Sequence, residues 1–311
     1  MKKLLILISI YLFIASCSLK NNMIMAETPT SSSKNKITIL DEKSLSYPHK
    51  NAIPFSEISD ISYNQKNKKL YMIGDKGNFY IFNANFSDKI KQMKYLNAFK
   101  VKEKKKVKKY DIEGLTHDNR GELYVSFEGY PRISKISKKG YLSSNQKLTK
   151  ELRSKKNYRG SNKIFEALAW HSKYGLLTAG EYPLHKKDKT KQTIYSVKGK
   201  KWHFKAQNHQ NNAITAIEVM DDNNLLILER AYAGLSKPFV VTLKKLYLNK
   251  CDKKRNCQSE VLASFNSYDG WAVNNYEGLA KVGKNRYLMV SDNNNKFILT
   301  TQLIYFKVNN L

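Results

Sequence analysis

The chain repeats one pattern five times, and this repetition constrains the fold more than any other feature. Each copy contains a short apolar strand, a polar turn, a second apolar strand that ends in an acid, and then a third strand. The copies lie at residues 57–75, 111–128, 164–181, 213–229 and 275–292. Repeats of roughly 50 to 60 residues with several short strands per unit are typical of a β-propeller. We therefore predict an all-β propeller with five blades.

The ends of the chain suggest how such a ring would close. A candidate outer strand follows each of the first four copies, at residues 93–99, 146–151, 201–206 and 260–265. The fifth copy has none after Phe306, whereas a spare strand stands at residues 36–40. We expect the N- and C-terminal strands to pair, which removes an open sheet edge. A sixth blade remains an alternative if residues 239–265 form a sheet of their own.

Acidic residues recur at a fixed distance within the copies. Three pairs are separated by 15 positions: Glu113 and Glu128, Glu166 and Glu181, and Glu277 and Asp292. In the other two copies an uncharged residue takes the first place: Ser59 before Asp75, and Thr215 before Glu229. Because the innermost strands of a propeller line its channel, the first residue of each pair should face the axis and the second should lie near a channel mouth.

Carboxylates that gather around one axis repel each other, so they require a cation, a basic partner or raised pKa values. Calcium is the expected occupant, because its flexible oxygen coordination suits ligands drawn from several blades. The alternative is that each carboxylate caps a turn or accepts backbone amides within its own blade.

The first residues predict export. Lys2 and Lys3 precede an apolar run too short to span a membrane comfortably, and the small residues Ala15 and Ser16 stand before Cys17. This arrangement resembles a bacterial lipobox, which predicts a signal peptide at 1–16, lipidation of Cys17, a flexible tether at 17–35 and the folded domain at 36–311. An ordinary signal peptide cut near Ala26 is the alternative. The expected location is the cell envelope, at the outer membrane if the source is Gram-negative.

The two remaining cysteines, Cys251 and Cys257, lie in a short lysine-rich loop. An exported chain meets an oxidising compartment, so a disulfide is favoured over a metal site or a reactive thiol. The charge is also consistent with an envelope protein. Lys and Arg number 55 against 26 Asp and Glu, and removal of residues 1–16 leaves 53 against 26, or +27. We expect small anionic or ester ligands, membrane attachment through the lipid, no nucleic acid, and a monomer.

Several motifs together resemble one known family. They are EISDISY with YMIGDKG, DIEGL with VSFEG, FEALAW with GEYPL, LLILERAY, and NNYEGLA with MVSDNNN, the last including Asn275, Asn293 and Asn295. In this order and spacing, from about residue 50 onward, they resemble the family called esterase-like activity of phytase. Thr215 and the alanine in EALAW depart from the pattern, as does the lysine-rich run at 100–109. The resemblance implies a propeller-like domain, and its name suggests hydrolysis of carboxyl or phosphate esters.

Two functions remain open at this point. In the first, the carboxylates hold calcium, which polarises an ester, and Arg230 neutralises the developing charge. The candidate catalytic residues are then Glu277, Asp292 and Arg230, and the candidate metal ligands are Glu113, Glu166, Glu277, Asp292, Glu128, Glu181, Glu229 and Asp75. In the second, the ring is a non-catalytic module that binds an anionic glycan, a lipid or a protein. No serine-hydrolase elbow, zinc-peptidase motif or P-loop is present. His117 and His171 are candidate bases or, alternatively, ordinary turn residues.

Overall fold

The computed structural model describes residues 36–104, 110–234, 236–294 and 300–309. The predicted signal peptide, Cys17 and the tether lie outside these residues, as do residues 105–109 of the lysine-rich run and Asn295. No helix in the described part of the chain is both long and apolar enough to cross a membrane.

Within the residues that the structure describes, twenty strands form five antiparallel sheets of four strands each, and each sheet is one blade. The first strand, β1 (Ile37–Leu45), belongs to the last blade. Blade 1 consists of β2 (Ile58–Asn64), β3 (Lys69–Gly74), β4 (Asn78–Phe86) and β5 (Ile90–Lys100). Blade 2 consists of β6 (Ile112–His117), β7 (Leu123–Phe127), β8 (Arg132–Ile136) and β9 (Leu142–Asn145). Blade 3 consists of β10 (Ala167–His171), β11 (Gly175–Ala179), β12 (Lys191–Ser196) and β13 (Lys201–Lys205).

The last two blades complete the ring. Blade 4 consists of β14 (Asn212–Val219), β15 (Leu225–Ala231), β16 (Val240–Cys251) and β17 (Cys257–Asn266). Blade 5 consists of β18 (Tyr276–Gly283), β19 (Arg286–Ser291), β20 (Thr301–Val308) and β1. In blade 5, β1 pairs antiparallel with β20, from Ile37 opposite Val308 to Leu45 opposite Thr301. The five-bladed propeller closed by its terminal strands is thus confirmed.

Two details differ from the expectations. Residues 239–265 make no sixth blade, because they form the two outer strands of blade 4. The outer strand of blade 2 is β9, and residues 146–151 instead lead into a short helix, α1 (Lys150–Arg153). Thr149 caps this helix by accepting the Leu152 amide, which favours helix over strand at this point.

Both faces of most strands are buried because neighbouring blades stack on each other. Between blades 1 and 2, for example, Tyr71 and Ile73 share a cluster with Leu115 and Val125. Such strands read as continuous apolar runs, and β3 is buried at every residue but its first. Burying a large apolar side chain contributes about 1.5–3 kcal/mol, so the contacts between blades are a main source of stability.

The glycine of the EGL motif allows the innermost strands to approach each other. A Cβ at Gly278 would lie 2.9 Å from the Asp60 Cα, and a Cβ at Gly114 would lie 2.7 Å from the Leu168 Cβ. Because real side chains do not tolerate such contacts, these two positions require glycine to let neighbouring blades meet at the axis.

At the rim of blade 4, Cys251 and Cys257 form a disulfide across the end of the β16–β17 hairpin. The hairpin leans on the outer strand of blade 3, where the Arg255 carbonyl accepts the His203 amide at 2.8 Å. The basic loop is therefore part of the packed edge of the ring.

Candidate functional site

The first acid position of the repeat coincides with a break in strand pairing. The register between the first and second strands shifts at Ser59, Glu113, Thr215 and Glu277. Thr215 is the fourth residue of its innermost strand, and each of the others is the second residue. Such β-bulges re-aim a side chain away from the ladder. In blade 3, Glu166 stands directly before β10 and its amide donates to the Ala179 carbonyl.

The second acid position follows the end of the second strand. Ile112 pairs with Phe127 and Tyr276 pairs with Ser291, so Glu128 and Asp292 come one residue after the last pair. In blade 4, however, Ile214 pairs with Glu229, which places Arg230 at the position that carboxylates occupy elsewhere.

Glu229 is directed away from the other acids as a result. Its side chain is fully buried and lies 3.3 Å from the ammonium of Lys244, which is itself buried. The structure does not bring Glu229 together with the remaining predicted ligands.

Most of the other predicted ligands converge in two groups, which we call the first and second acid groups. The first contains Asp75, Asp111 and Glu113, and the second contains Glu128, Glu166 and Glu181. In each group, one carboxylate oxygen per residue lies within 4.8 Å of the others. Each group joins the acid that ends the second strand of one blade to an acid at the start of the next blade. We call this end of the channel the acid mouth.

Glu277 completes the acid mouth from blade 5, but with a basic partner. Its carboxylate lies 2.6 Å from the Arg230 guanidinium and accepts the Asn275 side-chain amide at 2.8 Å. The same guanidinium lies 3.6 Å from Glu181, which also pairs with Lys163. Arg230 thereby links the second acid group to blade 5.

Burial and mutual repulsion raise the pKa values of the carboxyls at this mouth. Burial, followed by the charges of Glu166 and Glu277, raises the pKa of Glu113 well above its usual range. Burial and the charge of Glu181 raise the pKa of Glu166 well above its usual range and that of Glu128 to about 8. Neighbouring carboxylates thus add to the effect of burial on these three acids.

Asp292 lies at the seam between blades 5 and 1. Burial and the charge of Glu277 raise the pKa of Asp292 to about 7, although its carboxylate accepts the Asn294 amide at 2.8 Å. The adjacent Asn293 accepts the Glu57 amide at 2.9 Å, which ties this seam together.

The sequence reasoning missed Asp111, Glu57 and Lys163 at this mouth. Asp111 and Glu57 stand two residues before Glu113 and Ser59, at the place that Asn275 holds relative to Glu277. Polar residues at this place in three copies were a usable signal. Lys163 precedes the apolar Ile164 and carried no comparable signal, because its pairing with Glu181 depends on the fold.

The opposite mouth lies at the other ends of the innermost strands, where the two candidate bases, His117 and His171, are found. It surrounds a cavity of about 430 Å³ lined in part by His117, Trp170 and Glu218. The Nδ1 of His117 lies 2.8 Å from the Ser62 hydroxyl, and His171 Nε2 lies 3.1 Å from the Asn223 carbonyl. The histidines therefore lie at the end of the channel away from the acid groups.

Between the two mouths, one buried carboxylate joins three blades. Asp60 accepts the amides of Ile61 at 2.8 Å, Leu115 at 2.7 Å and Leu279 at 3.3 Å. Burial nevertheless raises the pKa of Asp60 well above its usual range.

The donor set at the acid mouth fits a hard divalent cation. It consists of carboxylate oxygens from several blades, with no sulfur and no imidazole among the members of the two acid groups. Oxygen-only coordination by several carboxylates suits calcium. A cation would also offset the repulsion that raises these pKa values.

Comparison with known proteins identifies the family. The family model described as phytase-like, esterase-like activity of phytase, matches residues 53–295. No curated protein sequence matches the chain.

Solved structures with a similar arrangement share little sequence with this chain. The PQQ-bound aldose sugar dehydrogenase of Streptomyces coelicolor is 9% identical, with 87% of this chain and 97% of that chain covered and a TM-score of 0.46. Virginiamycin B lyase of Staphylococcus aureus is 9% identical, with 87% and 99% covered and a TM-score of 0.42. The Pan2 WD40 domain of Neurospora crassa is 10% identical, with 88% and 96% covered and a TM-score of 0.36. At these values the likenesses say nothing about activity. Because the family model spans most of the sequence, the chain belongs to the phytase-like family.

Proposed function

We propose that this member of the phytase-like family hydrolyses an ester at the acid mouth, where carboxylates from several blades hold a divalent cation, with calcium the expected ion. The observation that carries the proposal is the convergence of two groups of three carboxylates. Burial and neighbouring carboxylates raise the pKa values of Glu113 and Glu166, one from each group, which is expected where acids gather to hold a cation.

The residues of the two acid groups and Glu277 would hold the cation. When bound, such a cation supplies Lewis-acid polarisation of the ester oxygen. Glu277 and Asp292 would accept hydrogen bonds from the attacking water and so orient it. Arg230 lies between Glu181 and Glu277. Its guanidinium would donate hydrogen bonds to the ester oxygen on which negative charge develops.

The decisive experiment measures turnover of a phosphate monoester and of a short carboxyl ester, each with calcium and with chelator. The variant is Glu277→Gln, which removes the charge and keeps the shape. The matched control is Asp221→Asn, which removes one carboxylate at the opposite mouth, where Asp221 lies 2.6 Å from Lys281.

The proposal predicts calcium-dependent turnover that falls about a hundredfold in Glu277→Gln and is retained in Asp221→Asn. Circular dichroism and the melting temperature report whether both variants are folded. If neither ester is turned over and calcium changes only the melting temperature, the hydrolase proposal for these ester classes is wrong. The site would then belong to a propeller that binds its ligand without chemistry.

We also propose that the chain is anchored to the bacterial envelope through a lipid on Cys17. The lipobox-like sequence and the basic charge support this proposal. Cells that express the chain with Cys17→Ser should release it from the membrane fraction and should no longer incorporate labelled palmitate into it. Retention of both properties would contradict the anchor.

A further inference from the structure

A cavity of about 590 Å³ opens at the acid mouth between blades 3, 4 and 5. One side of it is polar and includes Glu181, Arg230 and Glu277. The other side is apolar and includes Tyr232, Phe239 and Val273. The cavity therefore presents two chemically different walls, and it shares its polar wall with the proposed reaction site.

Opposite charges are matched on the polar wall. Arg230 pairs with Glu277 at 2.6 Å and lies 3.6 Å from Glu181, and Lys163 also pairs with Glu181. Two basic and two acidic groups thus offset each other. This wall offers oriented hydrogen-bonding groups directly beside the apolar wall.

The apolar wall is built on the protein core. The rings of Tyr232 and Phe239 lie 5.4 Å apart, and Phe239 and Val273 pack against the cluster between blades 4 and 5. The Phe239 amide donates to the Ser267 hydroxyl at 2.9 Å, and its carbonyl accepts the Ser267 amide at 3.0 Å. The backbone under the wall is thereby held in place.

Tyr232 extends this wall into solvent. Its side chain is 48% exposed although it contacts a second aromatic ring. An exposed aromatic ring beside a polar cluster in a concave site is a common arrangement for binding a ligand ring. The first acid group, between blades 1 and 2, is not among the residues that line this cavity.

We propose that this cavity binds an apolar, ring-sized group of the substrate, so that the preferred substrate is an ester with an aromatic substituent. The inference rests on the proposed function only in taking the substrate to be an ester. The binding of the ring depends on the cavity alone. The reacting end would lie toward Arg230 and Glu277, and the ring would lie on Tyr232 and Phe239.

The test measures binding, because aryl and alkyl esters differ in intrinsic reactivity. Benzylphosphonate and methylphosphonate, which cannot be hydrolysed as esters, are titrated into the purified protein with calcium by calorimetry. The variant is Tyr232→Ala. The matched control is Tyr268→Ala, which removes another exposed tyrosine, 64% exposed, that does not line the cavity.

The proposal predicts that benzylphosphonate binds at least about tenfold more tightly than methylphosphonate, because the cavity buries the ring. Tyr232→Ala should remove most of this preference and leave the methylphosphonate affinity unchanged. Tyr268→Ala should keep the preference. Phe239→Leu, which retains an apolar core side chain, should weaken the preference without loss of folding.

The two proposals can fail separately. If the protein prefers benzylphosphonate through Tyr232 but turns over neither ester, the ring-binding proposal stands and the hydrolase proposal is wrong. If turnover depends on calcium but the two phosphonates bind equally tightly, or neither binds, the ring-binding proposal is wrong and the hydrolase proposal stands.

Discussion

The two mouths of the channel use carboxylates in opposite ways. At the opposite mouth, Asp118 accepts the amides of Arg120 and Glu122 at 3.0 and 2.9 Å, and these bonds lower its pKa although burial acts to raise it. At the acid mouth, by contrast, neighbouring carboxylates are themselves a cause of the raised pKa values of Glu113 and Glu128.

Glu218 makes the comparison sharper because it is a half-buried acid at the opposite mouth. Burial raises the pKa of Glu218, but the amides of Val219 and Lys281 and the charge of Lys281 act against this shift. Burial alone therefore does not distinguish the mouths. The mouths differ in the groups that surround each carboxylate. We call acids surrounded by hydrogen-bond donors or basic groups structural acids, and acids surrounded by further carboxylates ligand-like acids.

The largest expected effect is at Asp60, the structural acid between the mouths. Asp60→Ala would leave the amides of Leu115 and Leu279 without an acceptor at the centre of the ring. The free energy of unfolding should fall by at least about 3 kcal/mol, because each buried donor left unpaired costs about 1–3 kcal/mol. Urea denaturation followed by tryptophan fluorescence measures this change. A loss below about 1 kcal/mol would show that water replaces the carboxylate.

The second prediction concerns pH. The pKa values of Asp292 (about 7) and Glu128 (about 8) are raised in the folded protein above their ordinary values, so the native state binds more protons than the unfolded state between those limits. With chelator present, the free energy of unfolding should therefore fall by about 2 kcal/mol from pH 5 to pH 9, after these shifts are reduced for the partial exposure of both groups. Calcium should flatten this dependence because it replaces the lost protons. If the free energy of unfolding in chelator does not change with pH, the acids of the two mouths do not differ in the way proposed here.

The third prediction is that removing a ligand-like acid stabilises the calcium-free protein. Glu128→Gln removes a carboxylate that faces Glu181 and Asp111. With chelator at pH 9, the free energy of unfolding should rise by about 1–2 kcal/mol, after allowance for its partial exposure. The same variant should lose part of the increase in melting temperature that calcium produces. Destabilisation in chelator would instead assign Glu128 to the structural acids.

The smallest expected effect is at the rim of the opposite mouth. Asp221 pairs with Lys281 at 2.6 Å and accepts the Asn285 amide at 2.6 Å, and its side chain is 31% exposed. Asp221→Asn should lower the free energy of unfolding by less than about 1 kcal/mol, since partly exposed ion pairs contribute little. Thermal denaturation with and without calcium should show the same small loss. A loss that depended on calcium would place this mouth, too, among the cation sites.

Much of the fold could be predicted because each copy of the repeat carries its own signals. Apolar runs, turn residues and the spare strand at residues 36–40 were sufficient for five blades and for closure by the terminal strands. The prediction was wrong at residues 146–151, where Thr149 caps a helix. A short polar segment carries little strand periodicity, so a local hydrogen bond decided its structure.

The candidate site was predicted less completely. The spacing of 15 residues identified acids of blades 2, 3 and 5 that reach the acid mouth. Applied from Thr215, the same spacing leads to Arg230, but the prediction chose Glu229, the acid one residue earlier. A change of one residue in a strand sends a side chain to the other face of the sheet. Glu229 accordingly meets Lys244, and Arg230 meets Glu277.

The sequence by itself determined the number of blades and the closure of the ring, because strand periodicity and repetition are local properties. Only the tertiary structure decided which acids meet. The bulges at Glu113 and Glu277, and the contact of each blade with the next, bring together residues that are far apart in the chain. The division into structural and ligand-like acids likewise depends on the donors that surround each carboxylate, and those donors come from other blades.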